Sequence, residues 1–201
     1  MNKKIKEHFQ RVDLILYSVI ERIEYLEPWK SKSANEYFVE LCANIIGQQL
    51  SGKAADTIFA RFEKLFAKKK ITPEKVLRIP DQKIRDAGMA WSKVKYIKDL
   101  AQKTLDKTLD LSKLTNMTDG DVLTELTKVK GIGPWTAEMF LMFTLGREDV
   151  FSHGDLGLKN AIKKLYGFKK DPSKKQVEKI VNKWSPYRTF ACRILWKSLE
   201  I

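Results

Sequence analysis

The sequence predicts a compact, all-α protein. Apolar residues recur at helical spacing through most of its length, no strand-period run of any length appears, and N-cap signatures recur between the periodic segments. With 201 residues, 43% of them hydrophobic, the chain is long enough to bury a real core as one domain or two small lobes.

Each element has its own warrant. Leu14, Ile15, Val19, Ile20 and Ile23 keep an i, i+4/5 rhythm, and the Glu27-Pro28 step ends that helix. Ser33-Ala34-Asn35-Glu36 forms a capping box, with Tyr37, Phe38, Leu41 and Ile45 following on one face. Gly47-Gln48-Gln49-Leu50-Ser51 breaks the pattern, and Ser51 is placed to cap a helix whose apolar face is Ala55, Ile58, Phe59, Phe62, Leu65 and Phe66. Thr72-Pro73 is an N-cap followed by Pro at N1, and Gly88 closes a short helix. Lys93 to Lys107 carries Val94, Ile97, Leu100, Ala101 and Leu105 inward. Thr118-Asp119-Gly120-Asp121 caps a helix that runs into Lys130-Gly131-Ile132-Gly133. Three further runs are broken at Gly167, Pro172 and Pro186, for about ten short helices in all.

Charge and cysteine usage narrow the function classes. Lys and Arg number 38 against 25 Asp and Glu, so the net charge is +13 and a polyanion is the expected partner, nucleic acid first. Cys42 and Cys192 sit in apolar helical patterns, and two cysteines build neither a disulfide framework nor a four-cysteine cluster. The start, Met-Asn-Lys-Lys-Ile-Lys-Glu, lacks the apolar run of a signal peptide, and no apolar segment approaches bilayer length. The expected setting is therefore the cytoplasm, nucleoid-associated, or the nucleus of a eukaryote, with no membrane.

Two features carry chemistry. In the hairpin, Gly131 and Gly133 permit backbone conformations closed to other residues, and Pro134 presets the following helix. The N–H groups of Gly131, Gly133 and Thr136 can point at a phosphate, while Lys128 and Lys130 add attraction. A bare Gly-x-Gly fits an ordinary αα-turn equally well; the longer string Val-Lys-Gly-Ile-Gly-Pro-Trp-Thr-Ala, in so basic a chain, favours phosphate. The second feature is Asp155, in Gly154-Asp155-Leu156-Gly157. It stands where an N-cap would, and either caps a helix or supplies a carboxylate that stabilises an oxocarbenium-like transition state or orients water.

Four strings, in order and spacing, resemble the helix-hairpin-helix DNA glycosylases of base excision repair, most closely the 3-methyladenine DNA glycosylase II branch. They are Ile45-Ile46-Gly47-Gln48-Gln49-Leu50-Ser51, Gly131-Ile132-Gly133-Pro134-Trp135-Thr136-Ala137-Glu138, Gly154-Asp155-Leu156-Gly157, and Trp184-Ser185-Pro186-Tyr187-Arg188 with Trp196 after it. The resemblance spans roughly residues 30–200. It implies two lobes with an active-site cleft between them, one of about residues 35–120 and one of 1–34 plus 121–201. It also implies that Asp155 is catalytic, that Gln49 is the wedge filling the gap left by a flipped nucleotide, and that Trp135 and Trp196 wall the base pocket. The carbonyls of Thr127, Val129 and Ile132 would match those that hold a structural monovalent cation, Na+ or K+, in some members.

Trp135 stands where bifunctional members carry the lysine that forms a Schiff base, so a monofunctional enzyme is expected. No cofactor is required on this reading, and two cysteines exclude the iron–sulfur loop of some relatives. The partner would be double-stranded DNA with a damaged base, met by a monomer. Packing roles compete for Trp135 and Trp196, and a plain loop role for Gln49 and His153. The alternatives are a glycosylase for another damaged base, or a non-catalytic DNA-binding protein, which needs neither Asp155 nor Gln49.

Overall fold

The computed structural model describes residues 2–26 and 30–201, so the Glu27-Pro28 step lies outside the described residues. Among these it holds twelve α-helices, four short 3-10 turns and no strand. The helices are α1 (Lys3–Val12), α2 (Leu14–Arg22), α3 (Tyr37–Gly47), α4 (Gly52–Glu63), α5 (Pro73–Arg78) and α6 (Asp81–Asp86), then α7 (Trp91–Leu105), α8 (Asp119–Thr127), α9 (Pro134–Phe143), α10 (Leu156–Leu165), α11 (Lys174–Val181) and α12 (Arg188–Lys197).

Local chemistry sets most boundaries. The side chains of Thr72, Thr118 and Ser173 each accept the N–H three residues on, satisfying a donor that has no partner inside its helix. Ser33 and Glu36 form the expected capping box, with the Ser33 N–H on the Glu36 carboxylate at 2.8 Å. Ser51 takes the N-cap position of α4 but makes no capping bond, which corrects its expected role.

Two further differences concern the N-terminus. Helix α1 has no counterpart in the sequence reading, because only Ile5 and Phe9 of its ten residues are buried. Leu14 and Ile15 belong to the expected rhythm yet are 70% and 43% exposed. Asp13 caps α2 by accepting the Leu16 N–H, and Leu16, Val19 and Ile20 are the residues turned inward.

The chain divides into two compact units, residues 31–145 and residues 1–30 with 146–201. The sequence put the hairpin helices with the termini. They fall instead with the central helices, because α9 packs on α3 and the hairpin is tied to α7, as described below. In the 31–145 unit, Leu41, Cys42, Ile45 and Ile46 of α3 are fully buried, and α3 meets α4, α7 and α9. A buried aliphatic side chain of this kind contributes about 1.5–3 kcal/mol. In the other unit, α12 packs on α2 and α10. Trp184 is fully buried there, and its indole N–H and the Tyr166 hydroxyl both donate to the buried Asp13 carboxylate. Burial and that carboxylate push the Tyr166 phenol upward.

Candidate active site and nucleic-acid interface

The hairpin turn is residues 128–133, between α8 and α9. Its two glycines do different work. Gly131 has φ +82°, and a Cβ there would lie 2.0 Å from the Tyr96 ring, so the position needs glycine for both conformation and space. Gly133 has φ −91°, ordinary for any residue, and a Cβ there would meet nothing within 4 Å. The expectation of special backbone freedom therefore holds at Gly131 alone. Gly133 leaves bare backbone facing open space at the N-cap of α9. The N–H groups of Gly131 and Gly133 have no acceptor among the described residues, and that of Thr136 lies in a first helical turn, which supplies no partner. The positive end of the α9 dipole adds to them.

Side chains from elsewhere in the same unit hold this backbone. Asp99 of α7 accepts the Lys130 N–H at 2.9 Å and the Lys103 ammonium at 2.8 and 2.9 Å. Burial would raise the Asp99 carboxyl, but these donors outweigh it and hold it below the usual carboxylate range. Gln48 donates through Nε2 to the Gly131 carbonyl at 2.7 Å and to the Thr136 hydroxyl at 3.2 Å. Thr136 itself is only 4% exposed and its hydroxyl is engaged by Gln48, while its N–H has no partner within the helix. Lys93 in turn fixes the segment before Gln49, donating to the carbonyls of Ile46 and Gln48, both at 2.8 Å. Burial pushes the Lys93 ammonium down.

Gln49 is exposed, with φ +57°, a left-handed conformation uncommon outside glycine. The Gln48 side chain turns to the hairpin, and its neighbour is presented outward on a strained turn. Trp135 is 45% exposed and lies outside the core. The Val129 carbonyl accepts the Ile132 N–H at 3.1 Å, which leaves one lone pair; the Thr127 carbonyl lies at the end of α8, where helix carbonyls lack partners.

Asp155 and Trp196 come together in the other unit. Asp155 is the N-cap of α10: its Oδ1 accepts the Leu158 N–H at 2.8 Å and the Trp196 indole N–H at 3.1 Å. The capping and chemical readings of Asp155 are compatible, since capping is what fixes the carboxylate. Trp196 thus orients the acid, a contact that the sequence did not predict. Gly157 keeps the pair in register, because a Cβ there would lie 3.1 Å from Asp155 Oδ1 and 3.2 Å from Trp196 Cδ1.

The loop leading to Asp155 is pinned by the start of α12. Arg188 grips Asp149 through Nε at 2.7 Å and Nη2 at 2.8 Å, and Ser185 adds a bond at 2.8 Å. Burial would raise the Asp149 carboxyl, yet these donors hold it low. The Thr189 hydroxyl donates to the Arg147 carbonyl at 2.6 Å and accepts the Val150 N–H at 3.1 Å. This is the physical role of the Trp184–Arg188 string. Beside Asp155 lies a recess of about 220 Å³, lined by Phe151, His153, Lys159 and Lys174 among others. The exposed His153 ring meets Phe151 edge-on at 4.9 Å between centroids.

Sequence reasoning missed Gln48, Lys93, Tyr96 and Asp99. Gln48 carried a signal, as one of two amides in a helix break. The others sit in a helix whose polar face reads as ordinary surface.

Residues 42–186 match the family model described as HhH-GPD superfamily base excision DNA repair protein. The chain belongs to this superfamily. Among HhH-GPD proteins of known structure, a DNA-3-methyladenine glycosidase from Bacillus halodurans is 37% identical, with a TM-score of 0.83 over 98% of this chain and 89% of that one. The 3-methyladenine DNA glycosylase of Schizosaccharomyces pombe, solved in complex with abasic DNA, is 29% identical with a TM-score of 0.84, covering 99% and 98% of the two chains. The Bacillus subtilis protein YfjP is 36% identical over 162 residues, which is 78% of this chain and 56% of that protein's length.

Proposed function

We propose that the protein is a monofunctional DNA N-glycosylase of base excision repair that removes alkylated purines of the 3-methyladenine and 7-methylguanine type. The observation that carries this reading is the Asp155 carboxylate, held by the Leu158 N–H and the Trp196 indole at the positive end of α10. A helix cap needs only the Leu158 bond; the added Trp196 indole bond fixes the carboxylate further, which suits a catalytic acid and which a cap does not require.

The chain's net charge of +13 draws in the duplex. The N–H groups of Gly131, Gly133 and Thr136 take a backbone phosphate, with Lys130 nearby as added charge. The damaged nucleotide leaves the stack at a cost of a few kcal/mol, least where pairing is already weak. Gln49, outward on its turn, fills the vacancy. Trp196, beside the acid, and Trp135, exposed after the hairpin, each offer an aromatic face to the base, and a cationic purine over such a face gains about 0.5–2 kcal/mol. Such a base is already a good leaving group. Asp155 then has one task, to stabilise positive charge on the sugar as the N-glycosidic bond breaks and water completes hydrolysis. Trp135 carries no amine, so no Schiff base forms and the strand stays whole. The carbonyls of Thr127, Val129 and Ile132 suit a hard monovalent cation, Na+ or K+, which would stiffen the turn electrostatically. The enzyme works as a monomer on genomic DNA, in the cytoplasm or nucleus; among the described residues no helix is long and apolar enough to cross a membrane.

The test is duplex DNA methylated on its purines, incubated with the protein, with released bases separated by chromatography and the strands run on a denaturing gel. Free 3-methyladenine or 7-methylguanine with uncut strands is expected. Tight binding without release would establish the non-catalytic alternative, and cut strands would overturn the monofunctional assignment.

A further inference from the structure

A second surface of the 31–145 unit has a character unlike the hairpin. Two adjoining recesses, of about 510 and 310 Å³, share Leu65 and Lys83 as walls. They run between the end of α4 and the α5–α6 segment. The floor is apolar, with Phe66 buried and Leu65 and Ile79 half-buried. The rim is basic: Lys75, Arg78 and Lys83 border the larger recess, and Arg61 and Lys64 the smaller. Residues 61–86 carry nine Lys and Arg against four acids. Asp81 is engaged with Lys98 and Glu63 with Lys69, while Asp86, hydrogen-bonded to the neutral Gln82, keeps its charge on the wall of the smaller recess, so the excess of positive charge is greatest around the larger one. Lys64 and Lys83 have no acidic partner among the described residues.

Helix α7 separates this groove from the hairpin. Successive residues of a helix turn by about 100°, so Tyr96 and Asp99 share one side, and Lys98 lies about 200° round from Tyr96. Tyr96 and Asp99 meet the hairpin. Lys98 donates to the carbonyls of Leu77 and Ile79 at 3.0 and 2.6 Å, on the groove's own wall. The groove wall and the hairpin thus meet different sides of α7.

We propose that this groove docks a short acidic segment of a partner protein that inserts an apolar side chain between Leu65, Phe66 and Ile79. A basic rim calls for an anionic partner. The apolar floor decides which kind, because a nucleic-acid backbone carries no apolar tip to bury, whereas an acidic amphipathic peptide carries both. The volume accommodates one or two large side chains.

The experiment measures anisotropy of a fluorescein-labelled, Glu-rich peptide containing one Phe and one Leu, titrated with the 201-residue protein, with and without duplex DNA bound. Binding that persists on the DNA complex and weakens about fivefold or more in K64E/K83E is expected. K4E/K179E, which removes the same charge from exposed lysines of the other unit, should leave it nearly unchanged, and K64E/K83E should keep wild-type base release. Equal weakening by both double variants, or equal binding of a peptide with Ser in place of Phe and Leu, would reduce the effect to unspecific polyanion attraction and overturn the proposal. Loss of duplex affinity in K64E/K83E alone would make the groove a DNA contact and overturn it as well.

Discussion

The hairpin and the Asp155 loop solve opposite problems. In the hairpin the atoms proposed to take the phosphate are backbone N–H groups, and side chains from distant helices brace them: Gln48, Tyr96 and Asp99. In the Asp155 loop the group proposed to act on the substrate is a side chain, braced by a backbone N–H at Leu158 and by the Trp196 indole. A backbone site cannot be deleted by truncating one residue; it is lost only when its supports fail. A carboxylate site is lost by changing one atom. The two regions should therefore fail differently, in binding and in turnover respectively.

The largest effect is expected for Asp155→Asn. It keeps the cap shape and removes the charge, so single-turnover base release should fall by about 100- to 1,000-fold, in the range set by other lost electrostatic groups. Duplex affinity by anisotropy should change less than about threefold. A full rate in this variant would break the comparison at its root. Gly131→Ala comes next. The methyl group meets the Tyr96 ring at 2.0 Å in a left-handed conformation, so thermal unfolding should show a loss of about 1–3 kcal/mol. Its deficit in duplex affinity should exceed its deficit in single-turnover rate at saturating enzyme.

A matched pair is sharper though smaller. Gln48→Ala removes two supporting hydrogen bonds and Trp196→Phe one, each worth about 0.5–3 kcal/mol. The first should raise the Kd for duplex and spare the saturated rate; the second should lower the rate and spare Kd. If both variants moved the same parameter, the division of labour would be wrong. The smallest effect is common to both regions. Asp99 and Asp149 have carboxyls held below their ordinary value near 3.9, so their contributions are complete above about pH 4 and vanish as pH falls through the depressed folded values. Acid titration followed by circular dichroism should show Asp99→Asn and Asp149→Asn less stable at neutral pH, with the deficit shrinking below about pH 4.

The same contrast explains what was legible in the sequence. The cap position of Asp155, the turn at Gly131 and the helix start at Pro134 could be read because each lies within the local string that creates it. The all-helical fold was legible from apolar spacing and caps, and Thr72, Thr118 and Ser33 act as their positions require. Gln48 and Asp99 were not legible, because their roles lie in bonds to residues 83 and 31 positions away. Trp196 was read as a pocket wall, and its bond to Asp155 spans 41 positions. The unit boundary was missed for the same reason: sequence proximity attached the hairpin helices to the C-terminal part, while α3 and α7 hold them.

Helix α7 carries a consequence of its own. Lys93 holds the Gln48 turn, Tyr96 and Asp99 hold the hairpin, and Lys98 holds the α5 wall. All three depend on one angular phase along a single helix. Removing one residue between Lys93 and Tyr96 would keep every side chain but rotate the later ones by about 100° against the first. The Gln turn would stay in place while the hairpin lost its brace. This segment should therefore tolerate almost no change of length.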